Sequence, residues 1–371
     1  MEPASFQLPA PLRLQLSRRL RLKAESSSGF KFSGLNSSRK EEVLEEIYDL
    51  ELERVLREIE KLKAKRVLLQ LPDGLKVYGE RLAEEFSRRL GVEAYVSGSS
   101  CYGGCDLALK EAEALKADLL IHYGHTPFLE ETGGIKVLYV EARCRLEILS
   151  VVEKALPLLG KYERIGLTAS LQHVHGLREA AGRLEAEGKT AVVGDGKGRG
   201  VAYPGQVLGC NASAAENISD FVEAFLHVGG GTFHPLGVYL ATGKPVVHAD
   251  PFTMEVSEIS PLGEEVKRRV RGSIGRLLEA SKIGVILCSK PGQFQPGQAL
   301  NVKRELERVG KKPVLLVLEE ISEEALGNFP GLEGFVSTAC PRVGVDDAGR
   351  FSRPLVPADL FFKALRGGLW D

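Results

Sequence analysis

No apolar run in this chain approaches the roughly 20 residues that a membrane-spanning helix requires. The runs present, such as Leu119 to Ile121 and Val314 to Leu318, are of strand size, so no membrane role is expected. Excess charge is missing too: 49 basic residues against 50 acidic ones leave a formal net charge of -1. The broad positive field of a nucleic-acid binder is therefore absent, and no direct nucleic-acid partner is expected. The N-terminal segment, residues 1–40, has neither the apolar core nor the small-residue cleavage site of a secretory signal. The expected location is cytoplasmic. Cysteine is scarce, with six in 371 residues. Under reducing conditions these thiols are expected as ligands, catalysts or buried apolar groups rather than disulfide partners.

Residues 1–40 contain PLRLQLSRRLRLK and then SSSGFKFSGLNSSRK, and read as a disordered tail, with a transit peptide as the competing reading of the arginines. From Glu41 to Lys63 the residues Leu44, Ile47, Leu52, Val55, Leu56, Ile59 and Leu62 recur near helical spacing, which predicts a leading helix. A pattern then occurs three times. RVLLQLPDGL (66–75), RIGLTASLQHVH (164–175) and KIGVILCSKPGQF (282–294) each open with a strand and turn. Charged helical stretches follow at Tyr78 to Leu90, Leu177 to Glu187 and Ala299 to Val309, and then second strands VEAYV, TAVVG and PVLLVL. Later apolar segments lie in ADLLIHYGH, FVEAFLHVG and LEGFVST. Strands alternating with helices predict an α/β fold of three similar small domains with parallel sheets. Their expected bounds are 41–160, 161–275 and 276–371. Such folds bind ligands at the carboxyl ends of their strands.

The stretch GSSCYGGCD (98–106) places Cys101 and Cys105 four residues apart in a glycine-rich turn after the first of these second strands. Cys210, in YPGQVLGCN, follows the second strand of the next repeat, and Cys340, in FVSTACPRVGVDD, follows the last strand of the third. Cys288 lies inside the apolar run GVILC and reads as a buried small hydrophobe; Cys144, in VEARCRLE, has no informative context. One thiolate from each domain could hold zinc, or an iron-sulfur cluster with one iron left open, at their junction. Three unrelated loop thiols remain the other reading, because the spacings match no local ligand motif. Position 108 is Ala108, so a compact CxxxCxxC loop is absent.

The segments CYGGCDLA, ADLLIHYGHTPF, LTASLQHVHGL, YPGQVLGC, GGGTFHPLG, VHADPF, GVILCSKPGQF and FVSTACPRVGVDD, in this order, resemble the diphthamide-biosynthesis family, the 2-(3-amino-3-carboxypropyl)histidine synthases. The resemblance covers residues 64–350. It implies a 4Fe-4S cluster held by Cys105, Cys210 and Cys340, with Cys101 outside the ligand set. It also implies an atypical radical enzyme that transfers a 3-amino-3-carboxypropyl group from S-adenosylmethionine to a histidine of elongation factor 2. A homodimer and an unidentified electron donor are the further partners that it implies.

Polar residues in loops of the same segments are candidates to bind S-adenosylmethionine: His125, Thr126, Gln172, His175, His234 and Asp250. Hydrogen bonds that merely stabilise loops are the competing reading for each. The VGDGKGRG stretch (193–200) reads as a solvated loop whose Lys197 and Arg199 could meet an acidic protein surface. Two other functions fit the same cysteine pattern. Quinolinate synthase resembles it in having three α/β domains with one cluster cysteine each; a noncatalytic metal-bearing partner subunit is the other.

Overall fold

The computed structural model describes residues 47–345 and 348–367. The tail at 1–40, residues 41–46 of the expected leading helix, and Asp346 and Asp347 of the last motif lie outside them. The leading helix is shorter than its apolar spacing predicted. Strand β1 (Tyr48–Asp49) stands where helix was expected, and Glu51 adopts a left-handed conformation (φ 51°) before the helix Leu52–Leu62 begins. Helical spacing alone did not reveal that this backbone would pair with a distant strand.

Three sheets follow. The first contains β2 (Arg66–Gln70), β3 (Glu93–Val96), β4 (Leu119–Tyr123) and β5 (Val137–Val140), in the order β3-β2-β4-β5 and all parallel. Strand β6 (Arg143–Cys144) then pairs antiparallel with β1, setting Cys144 opposite Tyr48. The second sheet contains β7 (Arg164–Ala169), β8 (Thr190–Val193), β9 (Ala224–Val228), β10 (Val246–Asp250) and β11 (Glu255–Glu258), in the order β11-β10-β9-β7-β8. Only β11 is antiparallel among these described strands. The third contains β12 (Lys282–Cys288), β13 (Lys312–Leu318), β14 (Gly334–Ser337) and β15 (Leu355–Pro357), in the parallel order β13-β12-β14-β15.

Each repeat opens with the strand that lies inside its sheet, and this explains the sequence pattern. Strands β2, β7 and β12 are covered on both faces, so they read as continuous apolar runs rather than alternating ones. The edge strands β3, β8 and β13 are more exposed. The second and third sheets also share a packing device: Gly166 pairs with Phe225, and Gly284 with Phe335. A Cβ on either glycine would lie 2.4 or 2.5 Å from the neighbouring ring. The missing side chain makes room for the phenylalanine.

The helix Ser260–Glu279 links these two sheets. It buries Val266, Val270, Ile274 and Leu277 in a core that also takes Phe225 and Val246 from one sheet and Val285 and Val336 from the other. The division expected at 275 therefore falls within a helix shared by both sides. No helix among the described residues is long and apolar enough to cross a membrane.

Candidate functional site

Loops at the carboxyl ends of strands from all three sheets surround a cavity of about 960 Å³. Cys105, from the loop after β3, Cys210, from the loop after β8, and Cys340, from the loop after β14, all line it. Cys105 and Cys340 are half-buried and Cys210 is exposed. Crowding by protein pushes the Cys210 thiol up to about 11, with Cys105 adding to the effect. Burial pushes Cys340 up to about 12, with Cys210 and Cys105 adding to it. Three converging thiols that are hard to ionise alone are a suitable donor set for a cationic metal group, which favours the thiolate form.

The third sheet supplies a turn against the first-sheet cysteine. Gln293 Nε2 donates to Cys105 Sγ at 3.5 Å, while Gln293 Oε1 accepts from the Cys340 backbone N–H at 3.1 Å. The Gly292 N–H donates to the Cys105 carbonyl at 2.8 Å. Beside them Lys290 pairs with Asp106 at 3.0 Å and with Glu320 at 2.7 Å.

Cys101 takes a different place. It is buried, and its sulfur lies with ring nitrogens of His122 and His125 in a group whose ligand atoms are all within 4.8 Å of one another. The histidines already have partners. Gln70 donates through Nε2 to the Asp106 carbonyl at 2.6 Å, which leaves its Oε1 to accept from His122 Nδ1 at 2.9 Å. His122 Nε2 is then the acceptor for His125 Nδ1, 3.0 Å away.

Four of the six polar candidates line the cavity: His125, Thr126, Gln172 and His234. Burial and the nearby His234 push His125 down to about 4; burial, Arg342 and His248 do the same to His234. Both are neutral imidazoles at pH 7. Thr126 donates its hydroxyl to the Gly200 carbonyl at 2.6 Å, and Gln172 Nε2 donates to the Gly124 carbonyl at 2.9 Å, so both also tie loops together. His175 and Asp250 are not among the lining residues. Asp250 instead accepts from the Phe252 N–H at 2.8 Å and shapes its own turn.

Other expectations change in detail. Cys288 is buried as expected, yet it also forms part of the cavity wall, and its thiol faces the Glu319 carbonyl at 3.6 Å. The 193–200 stretch is exposed at Asp195, Lys197, Gly198 and Arg199, as expected of a solvated loop, but its backbone is tied down. Asn211 Nδ2 holds the Lys197 and Arg199 carbonyls at 3.0 and 3.3 Å, and the Gly200 N–H donates to the Pro127 carbonyl at 3.2 Å. Sequence reasoning did not single out Lys290, Gln293 or Arg342, which line the cavity. They stand inside GVILCSKPGQF and FVSTACPRVGVDD, so the motifs carried the signal, but only folding shows their direction.

Comparison with known proteins agrees with this architecture. The family described as "Putative diphthamide synthesis protein" matches residues 71–367. The 2-(3-amino-3-carboxypropyl)histidine synthase of Pyrococcus horikoshii is 36% identical over 293 residues, covering 78% of this chain and 82% of that protein. Subunit 1 of the corresponding synthase from Schizosaccharomyces pombe is 31% identical over 324 residues, covering 85% of this chain and 73% of that one. A crystal structure described as Dph2 from Pyrococcus horikoshii with a 4Fe-4S cluster superposes with a TM-score of 0.78 at 33% identity, covering 86% of this chain and 91% of the other. With its fold and nearly all of its described length matched, the chain belongs to the diphthamide synthesis family.

Proposed function

We propose that this chain catalyses the first step of diphthamide synthesis, transferring a 3-amino-3-carboxypropyl group from S-adenosylmethionine to a histidine of elongation factor 2. The observation that carries the reading is the convergence of Cys105, Cys210 and Cys340 on one cavity, from loops of three different sheets. These residues would hold a 4Fe-4S cluster, and each sheet with its helices would form one of three domains. A bound cluster would supply the low-potential electron that cleaves a carbon–sulfur bond of the sulfonium substrate.

The remaining cavity residues have distinct tasks. The Arg342 guanidinium lines the same cavity and is suited to the substrate carboxylate. Neutral His125 and His234 offer hydrogen bonds without adding positive charge next to a sulfonium. Phe128, Phe233 and Phe252 supply apolar walls that limit water near the reacting carbon. With all three thiols in one chain, the enzyme would work as a homodimer in the cytoplasm with a separate electron donor, and family membership leaves the quinolinate synthase reading without support.

The test is anaerobic reconstitution with iron and sulfide, followed by electron paramagnetic resonance of the reduced protein. Transfer of label from S-adenosylmethionine to elongation factor 2 is then followed with no other protein subunit present. A cluster signal with labelled elongation factor 2 is expected. A protein that takes up no cluster, or transfers nothing under reducing conditions, would overturn the reading.

A further inference from the structure

Cys105 sits in a loop with Gly103 and Gly104 directly before it, where neither helix nor strand fixes the backbone. What holds it comes from a residue range almost 190 positions away in the chain. The turn after β12 grips the loop at three successive levels. Lys290 Nζ reaches both Asp106 oxygens, at 3.0 and 3.2 Å, in a pair that is almost wholly buried. Gly292 bonds the Cys105 carbonyl, and a Cβ on Gly292 would lie 2.6 Å from Cys105 Cα, so only glycine permits this approach. Gln293 spans the sulfur of Cys105 and the backbone N–H of Cys340 with a single side-chain amide. Tyr102 closes the far side, its ring centre 5.1 Å from Lys290 Nζ and its hydroxyl 3.3 Å from Glu320.

We propose that Lys290–Gln293 is a positioning latch that seats Cys105 opposite Cys340 before any cofactor binds, with Gln293 as its contact to the sulfur. The inference rests on the reading of these thiols as cluster ligands, and it adds the residues that preorganise them. Preorganisation matters because a ligand loop ordered beforehand loses less conformational freedom on binding. The Gln293 N–H also stabilises negative charge on the sulfur, which favours the reduced state of a group bound there.

The test begins on the reduced, metal-free full-length protein under anaerobic conditions, with the alkylation rate of each cysteine read by peptide mass spectrometry. Lys290→Met and Gln293→Leu should each speed alkylation of Cys105 at least about tenfold through local opening, leaving Cys210 within about twofold of its original rate. Gln293→Leu keeps the ion pair and so serves if Lys290→Met does not fold. After reconstitution, Gln293→Leu should also move the cluster midpoint to a more negative potential, an effect that loosened packing alone does not specify. Unchanged Cys105 rates in the folded variants, or equal acceleration at Cys105 and Cys210, would overturn the latch; an unmoved potential would remove the Gln293 contact. Failure of the unmodified protein to take up a cluster would sink the functional reading, while the alkylation contrast would still decide the latch.

Discussion

The loops bearing Cys105 and Cys210 reach the same cavity but are held by different physics. Around Cys105 the contacts are long-range, polar and largely buried: an ion pair, a main-chain hydrogen bond and a glutamine amide from the third sheet. Around Cys210 they come from nearby chain and depend on close approach. A Cβ on Gly209 would lie 2.3 Å from the Phe233 ring, and one on Gly237 would lie 2.8 Å from the Gly209 carbonyl. Asn211 then fastens the loop to the 197–199 backbone. One cysteine is seated mainly by polar contacts across a junction, with Gly292 allowing the approach, the other mainly by steric fit within its own sheet's surroundings, with Asn211 fastening it. The two should fail under different perturbations.

The largest effect should erase the contrast. Replacing Cys105, Cys210 or Cys340 by Ala is expected to lower label transfer at least about 100-fold with loss of the cluster spectrum, since even outer-shell changes at metal sites cost up to about that factor. Cys144→Ser and Cys288→Ser should retain the spectrum, with a lower melting temperature where the thiol is buried. Full transfer by Cys210→Ala would show that the two loops do not share a task.

Next in size is the electrostatic side. Lys290→Met leaves Asp106 buried without its ammonium partner and should cost roughly 3–5 kcal/mol in urea unfolding. A loss near zero would mean that water already compensates the carboxylate.

Acid should act mainly through the imidazoles. His125 and His234 are held near about 4 by burial, below the ordinary value near about 6.5. The unfolded chain therefore binds more protons between those values. Stability from these groups is complete above the unfolded pKa and is lost as pH falls towards the folded one, by at most about 1.4 kcal/mol per pH unit for each histidine. Urea midpoints of the metal-free protein at pH 7, 6 and 5 should fall in that order, and His234→Gln should flatten the trend. An identical slope in that variant would remove His234 from the account.

The steric side is expected to be smaller. Gly209→Ala should cost about 1–3 kcal/mol by overpacking against Phe233, lowering the melting temperature without freeing Cys105 to alkylation. Smallest of all is the exposed ion pair across the same junction as the buried one, Lys110 to Glu319 at 3.2 Å. Lys110→Ala should change stability by no more than about 1 kcal/mol. A larger loss would show that charge at this junction matters wherever it lies.

Much of this was legible in the sequence. The central strands of the sheets are continuous apolar runs because both faces are covered, so β2, β7 and β12 stand out directly. The cysteine loops were found because they follow strands, where an α/β fold leaves room for a ligand. Less was visible at Tyr48, whose pairing with Cys144 depends on a partner almost a hundred residues away, and at 275, where helical periodicity continues through the expected division. His175 and Asp250 looked like His125 and His234 in sequence, yet Gln172 and Phe252, two or three residues from them, line the cavity and they do not.

By itself the sequence determined the α/β class, the three repeated openings and the family, because these follow from periodicity and from motifs that are local in the chain. Tertiary structure alone decided which polar side chains face the cavity, that Cys101 sits with His122 and His125, and that Lys290 and Gln293 reach across to the Cys105 loop. The physical reason is distance along the chain. Direction and partnership at a junction depend on the packing of segments that are remote in sequence, and no local pattern records which of them will meet.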